Sequence, residues 1–171
     1  MFFSGELNSP SRSIRYAVTI SKNNDKILVD ADKQNPYKEC SNTSGSSIEL
    51  IGNKSLSFLG INGTAVIECH PGCNLFEVRF SFNKTRVILS DLVMSRVNTV
   101  VQCFKVNVEL VFNRCIFEIY NTGVHIKGSM RCSIQTIDCS FRESTISIGN
   151  FSEMYQSNSS FYEYLILRES C

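Results

Sequence analysis

Val87-Ile88-Leu89-Ser90-Asp91-Leu92-Val93-Met94 decides the reading of this chain, because its pattern returns twice. Val87-x-Leu89-x-x-Leu92-x-Met94 is repeated by Leu110-x-Phe112-x-x-Cys115-x-Phe117 and by Ile134-x-Thr136-x-x-Cys139-x-Phe141, at a nearly constant offset. A second run keeps the same beat: Asn98-Thr99-Val100-Val101, then Thr122-Gly123-Val124-His125-Ile126, then Ser144-Thr145-Ile146-Ser147-Ile148. A looser early copy runs through Leu56-Ser57-Phe58-Leu59-Gly60-Ile61 and Thr64-Ala65-Val66-Ile67. There the step from Ile61 to Leu92 is longer than the repeat, and a loop inserted at Cys69-His70-Pro71-Gly72-Cys73 accounts for the excess. Alternating Val, Ile, Phe and Thr marks short strands. A strand pattern recurring every two dozen positions or so is the mark of a coiled parallel β-solenoid, one copy per turn.

One copy cannot bury enough apolar surface to offset the entropy of ordering its own backbone. Neighbouring copies are therefore obligatory, joined by backbone hydrogen bonds and stacked side chains. The competing architecture is an antiparallel sandwich of short strands. It calls for frequent tight hairpin dipeptides, and the chain has a single Asn-Gly, at Asn62-Gly63. No helical stripe of several turns follows Asp25.

The 171 residues suffice for one domain with a real core. Net charge is +1 with lysines and arginines scattered, so no basic face favours nucleic acid. No apolar run reaches the length of a membrane span, so this segment is not expected to insert into a membrane. Six glycosylation sequons stand at Asn42, Asn53, Asn62, Asn83, Asn150 and Asn158. With eight cysteines they point to an oxidising compartment, outside the cell or at its surface. The opening Met1-Phe2-Phe3-Ser4-Gly5-Glu6 lacks the basic and apolar regions of a signal peptide. The expectation is an internal fragment of a larger secreted or surface protein.

Residues 1–10 read as a flexible lead-in, and 11–149 as the repeat region. Within the latter, 11–22 form a short amphipathic helix, N-capped by Ser11 or Ser13 and apolar at Ile14, Ala17 and Val18. Laid across the first turn, that helix would block edge-to-edge pairing. Asn23-Asn24-Asp25 ends it in a polar turn, and Ile27-Leu28-Val29 is the first strand. Residues 150–160 read as a polar loop, with a last strand over 161–167 and a truncated end.

Ser9-Pro10-Ser11-Arg12-Ser13-Ile14-Arg15-Tyr16-Ala17-Val18, followed by Asp25-Lys26-Ile27-Leu28-Val29 and Pro36-Tyr37-Lys38-Glu39-Cys40, resembles the start of the pectin-lyase-like right-handed parallel β-helix superfamily. Ile48-Glu49-Leu50-Ile51-Gly52, Ser55-Leu56-Ser57-Phe58-Leu59-Gly60 and Val66-Ile67-Glu68-Cys69 look like its next strands. The resemblance covers residues 9–149 and is closest to non-catalytic β-helix regions of large extracellular animal proteins. It implies an all-β, right-handed parallel β-helix with a short N-terminal capping helix, and it says little about activity.

Catalytic members of that superfamily cleave acidic polysaccharides. Their Asp-Asp, Gly-His-Gly and Arg-x-Lys strings are absent here, their Asn-x-Asp string occurs only in the polar turn Asn23-Asn24-Asp25, and there is no acidic cluster of the kind lyases use for calcium. Asp91, Arg114 and Asp138 fall at one position of three successive copies. With strands about 4.8 Å apart, the carboxylates would lie roughly 10 Å apart, just beyond the separation of an inverting glycosidase. The arginine between them would favour two ionised carboxylates, whereas a general acid must hold its proton. A surface ion ladder is the expectation. His125 points outward with Val101 and Ser147 expected beside it, neither able to orient an imidazole. Cys69, His70 and Cys73 lack a fourth zinc ligand, so a loop disulfide between Cys69 and Cys73 is expected instead. Cys115 and Cys139 share a register and face inward as free thiols, at a separation that would also permit a disulfide.

The expected function is a non-enzymatic extracellular module, glycosylated, structural or adhesive, with a carbohydrate or an extracellular protein as ligand and no cofactor. The alternative is a polysaccharide lyase or glycoside hydrolase acting on uronic-acid polymers.

Overall fold

The computed structural model describes residues 13–31, 36–40, 48–51, 54–69, 73–79, 84–104, 107–127, 132–142, 145–149, 153–162 and 165–169. The chain is all-β, with parallel strands in two sheets and one short helix, α1 (Ile14–Ile20). The strands fall into successive copies of the cassette. The first holds β1 (Lys26–Asp30), β2 (Tyr37–Cys40) and β3 (Ile48–Ile51), and the second β4 (Leu56–Ile61), β5 (Ala65–Cys69) and β6 (Asn74–Arg79). The third holds β7 (Thr85–Ser90) and the long β8 (Leu92–Phe104), and the fourth β9 (Val108–Asn113) and the long β10 (Ile116–Lys127). The fifth has β11 (Cys132–Ile137), β12 (Ser140–Arg142) and β13 (Thr145–Gly149). The sixth has β14 (Glu153–Ser157), β15 (Ser160–Tyr162) and β16 (Leu165–Glu169).

The first strand of every copy joins one six-stranded sheet, ordered β1-β4-β7-β9-β11-β14. The remaining strands form the second sheet, in which β8 and β10 each pair with both later strands of a neighbouring copy. Both long strands change register part-way: Ser95 faces Glu118 and Val97 faces Ile119, leaving Arg96 as an extra residue with a φ of 57°. Such a bulge bends a strand while keeping its inward face inward on both sides.

The cassette alignment is the observed register. Val87 pairs with Leu110 and Leu110 with Ile134, Leu89 with Phe112 and Phe112 with Thr136, Met94 with Phe117 and Phe117 with Phe141. Because strand side chains alternate, each equivalence becomes an inward column. Leu56, Val87, Leu110 and Ile134 form one, and Ile67, Met94, Phe117 and Phe141 another, all buried. The Phe117 and Phe141 rings stack at 4.2 Å, and Phe112 meets Phe117 edge-on at 5.1 Å. Both are favoured aromatic geometries.

Two readings of the sequence are corrected. The excess length of the early copy does not sit in one loop. Leu56 pairs with Val87, Ala65 with Leu92 and Phe76 with Val101, and the separation along the chain shrinks at each of these steps. Extra residues thus enter at the corner after β4, between β5 and β6, and again before β7, and Ala65 rather than Ile61 is the counterpart of Leu92. Within the expected polar loop of 150–160, residues 153–157 form β14 and residue 160 opens β15, which pair in register with β11 and β12 as a further, shorter copy.

α1 is shorter than the expected 11–22 and packs against β1, β2 and β3. Ser13 is its N-cap and accepts a hydrogen bond from the Tyr16 N–H. The stronger cap comes from β2. The buried Glu39 carboxylate accepts from the backbone N–H of Ile14 at 2.5 Å and of Arg15 at 3.2 Å, and from the Ser13 hydroxyl at 3.3 Å. An anion there meets both the unpaired first-turn donors and the positive end of the helix. At the other end, Asn24 adopts a φ of 68° and donates its N–H to the Ser55 carbonyl, while the Asn23 side chain accepts from the Ser55 N–H. The polar turn is thereby tied to the start of β4.

Two substitutions test this packing. A methyl at Gly60 would run into the Asp91 backbone carbonyl, closer than real Cβ atoms approach. Gly60→Ala is expected to cost about 2 kcal/mol or more in a urea melt, because backbone must move. The Thr136 hydroxyl is fully buried without a hydrogen-bond partner. Thr136→Val is expected to add about 1 kcal/mol of stability in the same measurement, since the hydroxyl's desolvation is uncompensated.

Candidate functional site

A single column of corner residues carries most of the polar chemistry. After β4, β7, β9, β11 and β14 the chain enters the left-handed region at Asn62 (φ 60°), Asp91 (58°), Arg114 (51°), Asp138 (51°) and Asn158 (50°). Asn and Asp visit this region more readily than other non-glycine residues, which explains four of the five. The three central corners are fastened to the next copy: Asp91 N–H donates to Asn113 O, Arg114 N–H to Ile137 O and Asp138 N–H to Ser157 O, at 2.9 to 3.0 Å. Asn62 Nδ2 donates to Asp30 Oδ1 at 2.8 Å.

Arg114 turns toward Asp91 rather than lying midway in the ladder. Its Nε and Nη2 reach Asp91 Oδ1 and Oδ2, each at 2.6 Å. The bidentate fork holds the guanidinium proton above its ordinary affinity, through the hydrogen bond and then the charge of Asp91, with a smaller push from Asp138. That geometry commits both Asp91 oxygens to a cation, and Arg114 is half exposed, so screening keeps the pair's contribution small. Other outward carboxylates are similarly engaged: Glu109 with Lys84 and Arg86, Glu77 with Arg79, and Glu118 with Arg142. Among the described residues no group of three or more His, Cys, Asp or Glu side chains could hold a metal ion. Nor is any described helix long and apolar enough to cross a membrane.

Asn62 and Asn158 are exposed. Asn42, Asn53, Asn83, Asn150 and His70 lie outside the described residues. The expected Cys69–Cys73 bridge is not formed, because Cys73 is a free, buried thiol. Cys73 is fixed at the start of β6, where its carbonyl accepts from the Asn98 N–H. Cys69 ends β5 in register with Cys40 of β2 and is disulfide-bonded. His125 pairs with Ser147 as expected but with Gln102, not Val101, because Val124 is the residue opposite Val101.

Two groupings escaped the sequence. Asn98 Nδ2 donates to Asn74 Oδ1 at 3.1 Å, and Asn74 Nδ2 to Gln102 Oε1 at 2.6 Å, an amide chain across β6 and β8. Its signal was the polar residue that precedes each second run. Cys115 and Cys139 do more than share a register, since each thiol is fixed on a backbone carbonyl, Cys115 Sγ 3.3 Å from Leu89 O and Cys139 Sγ 3.2 Å from Ile137 O. The neighbouring Cys139 thiol, followed by burial, pushes Cys115 well above the ordinary thiol value, while Cys139 beside it sits below that value.

Compared with protein families, curated proteins and solved structures, the chain gives no match.

The corner column makes one direct prediction. Arg114→Asn replaces the one corner residue ill-suited to a positive φ and removes an exposed ion pair. The melting midpoint is expected to rise by roughly 1–3 °C by differential scanning calorimetry. A fall would mean that the pair with Asp91 outweighs backbone strain.

Proposed function

We propose that this chain is a right-handed parallel β-helix of the pectin-lyase-like kind, serving as a non-enzymatic, glycosylated segment of a larger secreted or cell-surface protein. It would act as a stiff spacer that offers a flat sheet face to a carbohydrate or an extracellular protein. The observation that carries the reading is the in-register parallel stacking of cassette on cassette, with inward columns that continue from copy to copy. A winding path that adds to each period one strand of the first sheet and one long or two short strands of the second accounts for that stacking, and right-handed connection is the rule for parallel strands.

Three further observations support it. Asn62 and Asn158 hold acceptor side chains at exposed corners, where an attached glycan would project away from the sheets. Of the two carboxylates that register offers for hydrolysis, Asp91 is committed to Arg114, and Glu109 and Glu118 carry lysine or arginine as well. On the outer face of the first sheet, Gln135 pairs in register with Tyr155, whose ring is 57 % exposed. An amide beside a largely exposed tyrosine suits a sugar or a polar protein loop.

The test is secretion of the chain behind a heterologous leader, followed by peptide-N-glycosidase treatment and peptide mass spectrometry. Asn62 and Asn158 are expected to carry glycans and to be converted to aspartate on release. The same material is expected to liberate neither reducing ends nor unsaturated products from pectins or glycosaminoglycans. Unmodified sequons would count against the glycoprotein reading. Turnover abolished by Asp91→Ala or Asp138→Ala would replace the module with a carbohydrate-active enzyme.

A further inference from the structure

Cys115 and Cys139 each follow a corner residue and each precede a paired strand, Ile116 lying opposite Ser140 and Phe117 opposite Phe141. They are therefore neighbours in one inward column, buried to 0 % and 2 % exposure, and both are free thiols. Neighbouring strands run about 4.8 Å apart, inside the Cα separation that a disulfide spans. Backbone carbonyls fix the sulfurs: Cys115 Sγ lies 3.3 Å from Leu89 O, and Cys139 Sγ 3.2 Å from Ile137 O. The Cys139 backbone is held as well, by Ser159 Oγ at 3.2 Å and Ser160 N at 2.8 Å. Below Cys115 the column continues in Leu92 and Ala65, so no third described cysteine competes for either thiol.

We propose that Cys115 and Cys139 form a peroxide-oxidisable dithiol whose closure into a disulfide staples two adjacent cassettes. Geometry makes the pair, and position in the column assigns the parts. Cys139, less enclosed at 2 % exposure and beside the polar Ser159, is the attacking sulfur, and Cys115, at 0 % and next to Leu92, is the resolving one; the lowered proton affinity of Cys139 runs the same way. Cys139 attacks one oxygen of hydrogen peroxide. An S–O bond forms, the O–O bond breaks, and the departing hydroxide takes the thiol proton as water, leaving a sulfenic acid. Cys115 sulfur then attacks Cys139 sulfur. The S–S bond forms, the S–O bond breaks, and the hydroxyl leaves as water with the Cys115 proton. Two thiols lose two electrons and two protons, and one peroxide becomes two waters. Burial restricts the reaction to a small oxidant. The bond requires no movement of one copy past the other, because the stacked Phe117 and Phe141 rings already hold them in register. The inference is independent of glycosylation and of where the protein resides.

The full chain, reduced and then exposed to hydrogen peroxide, is alkylated under denaturing conditions, digested and analysed by mass spectrometry. The expected product is a cross-linked pair of peptides containing Cys115 and Cys139, with a melting midpoint raised by about 5–10 °C. In C115S, dimedone is expected to trap a sulfenic acid on Cys139. In C139S, Cys115 is expected to stay unlabelled. Recovery of both cysteines as alkylated thiols, oxidation beyond the sulfenic acid without a cross-link, or links formed only in denatured protein would each overturn the proposal. Equal dimedone labelling of Cys115 in C139S would overturn the assigned roles. The wild-type peptide map decides the cross-link itself even if either serine variant fails to fold.

Discussion

The left-handed residue at each corner is the constraint from which the rest of the architecture follows. It turns the chain from one sheet to the other within one residue at Asp91 and two at Arg114 and Asp138, so that the strands on either side keep one inward face. Its N–H donates to the carbonyl of the next copy, so the turn is also part of the ladder. Because the corner is short, there is no slack for one copy to slip against another. A slip by one residue would turn every inward side chain outward. The stacked phenylalanines, the paired thiols and the outward ion pairs are all consequences of that fixed phase.

Where the sequence could be read correctly, the reason is the same phase. Val87, Leu110 and Ile134 are legible as a column because a period of two within strands and a near-constant spacing between them leave little freedom. Where the reading failed, one of those conditions was broken. In β14 and β15 the cassette is present, but polar Gln156 and Ser159 stand where earlier copies have Phe112 and Cys115 or Thr136 and Cys139. Hydropathy alone therefore sees a loop. In the second copy the extra residues are spread over three connections, whereas a linear alignment places them in one. Ala65, a small residue, is a weak mark of an inward position, and Ile61 drew the alignment in its place.

The candidate site shows the same division. Register alone brought Asp91, Arg114 and Asp138 to one column, but only the structure shows the arginine committed to Asp91. The Cys69–Cys73 expectation came from proximity along the chain, and register instead sets Cys69 opposite Cys40. Spatial neighbours in a parallel stack lie a whole copy apart in sequence, as Lys26 and Ser57 or Ser133 and Glu153 do. Cysteines close together in the chain can therefore belong to different strands with different partners. Asn62, Asp91, Asp138 and Asn158 are residue types that tolerate a positive φ, but the steps between them depart from the repeat at both ends, so the corners do not stand out as a period.

Glu39 has a consequence for how the chain assembles. A seven-residue helix has little tendency to persist alone, and the carboxylate that completes α1 sits 25 residues downstream of Ile14. It reaches the helix only once β2 lies beside β5. The amino-terminal cover is thus conditional on the second copy being in place, and α1 is a late arrival rather than a nucleus.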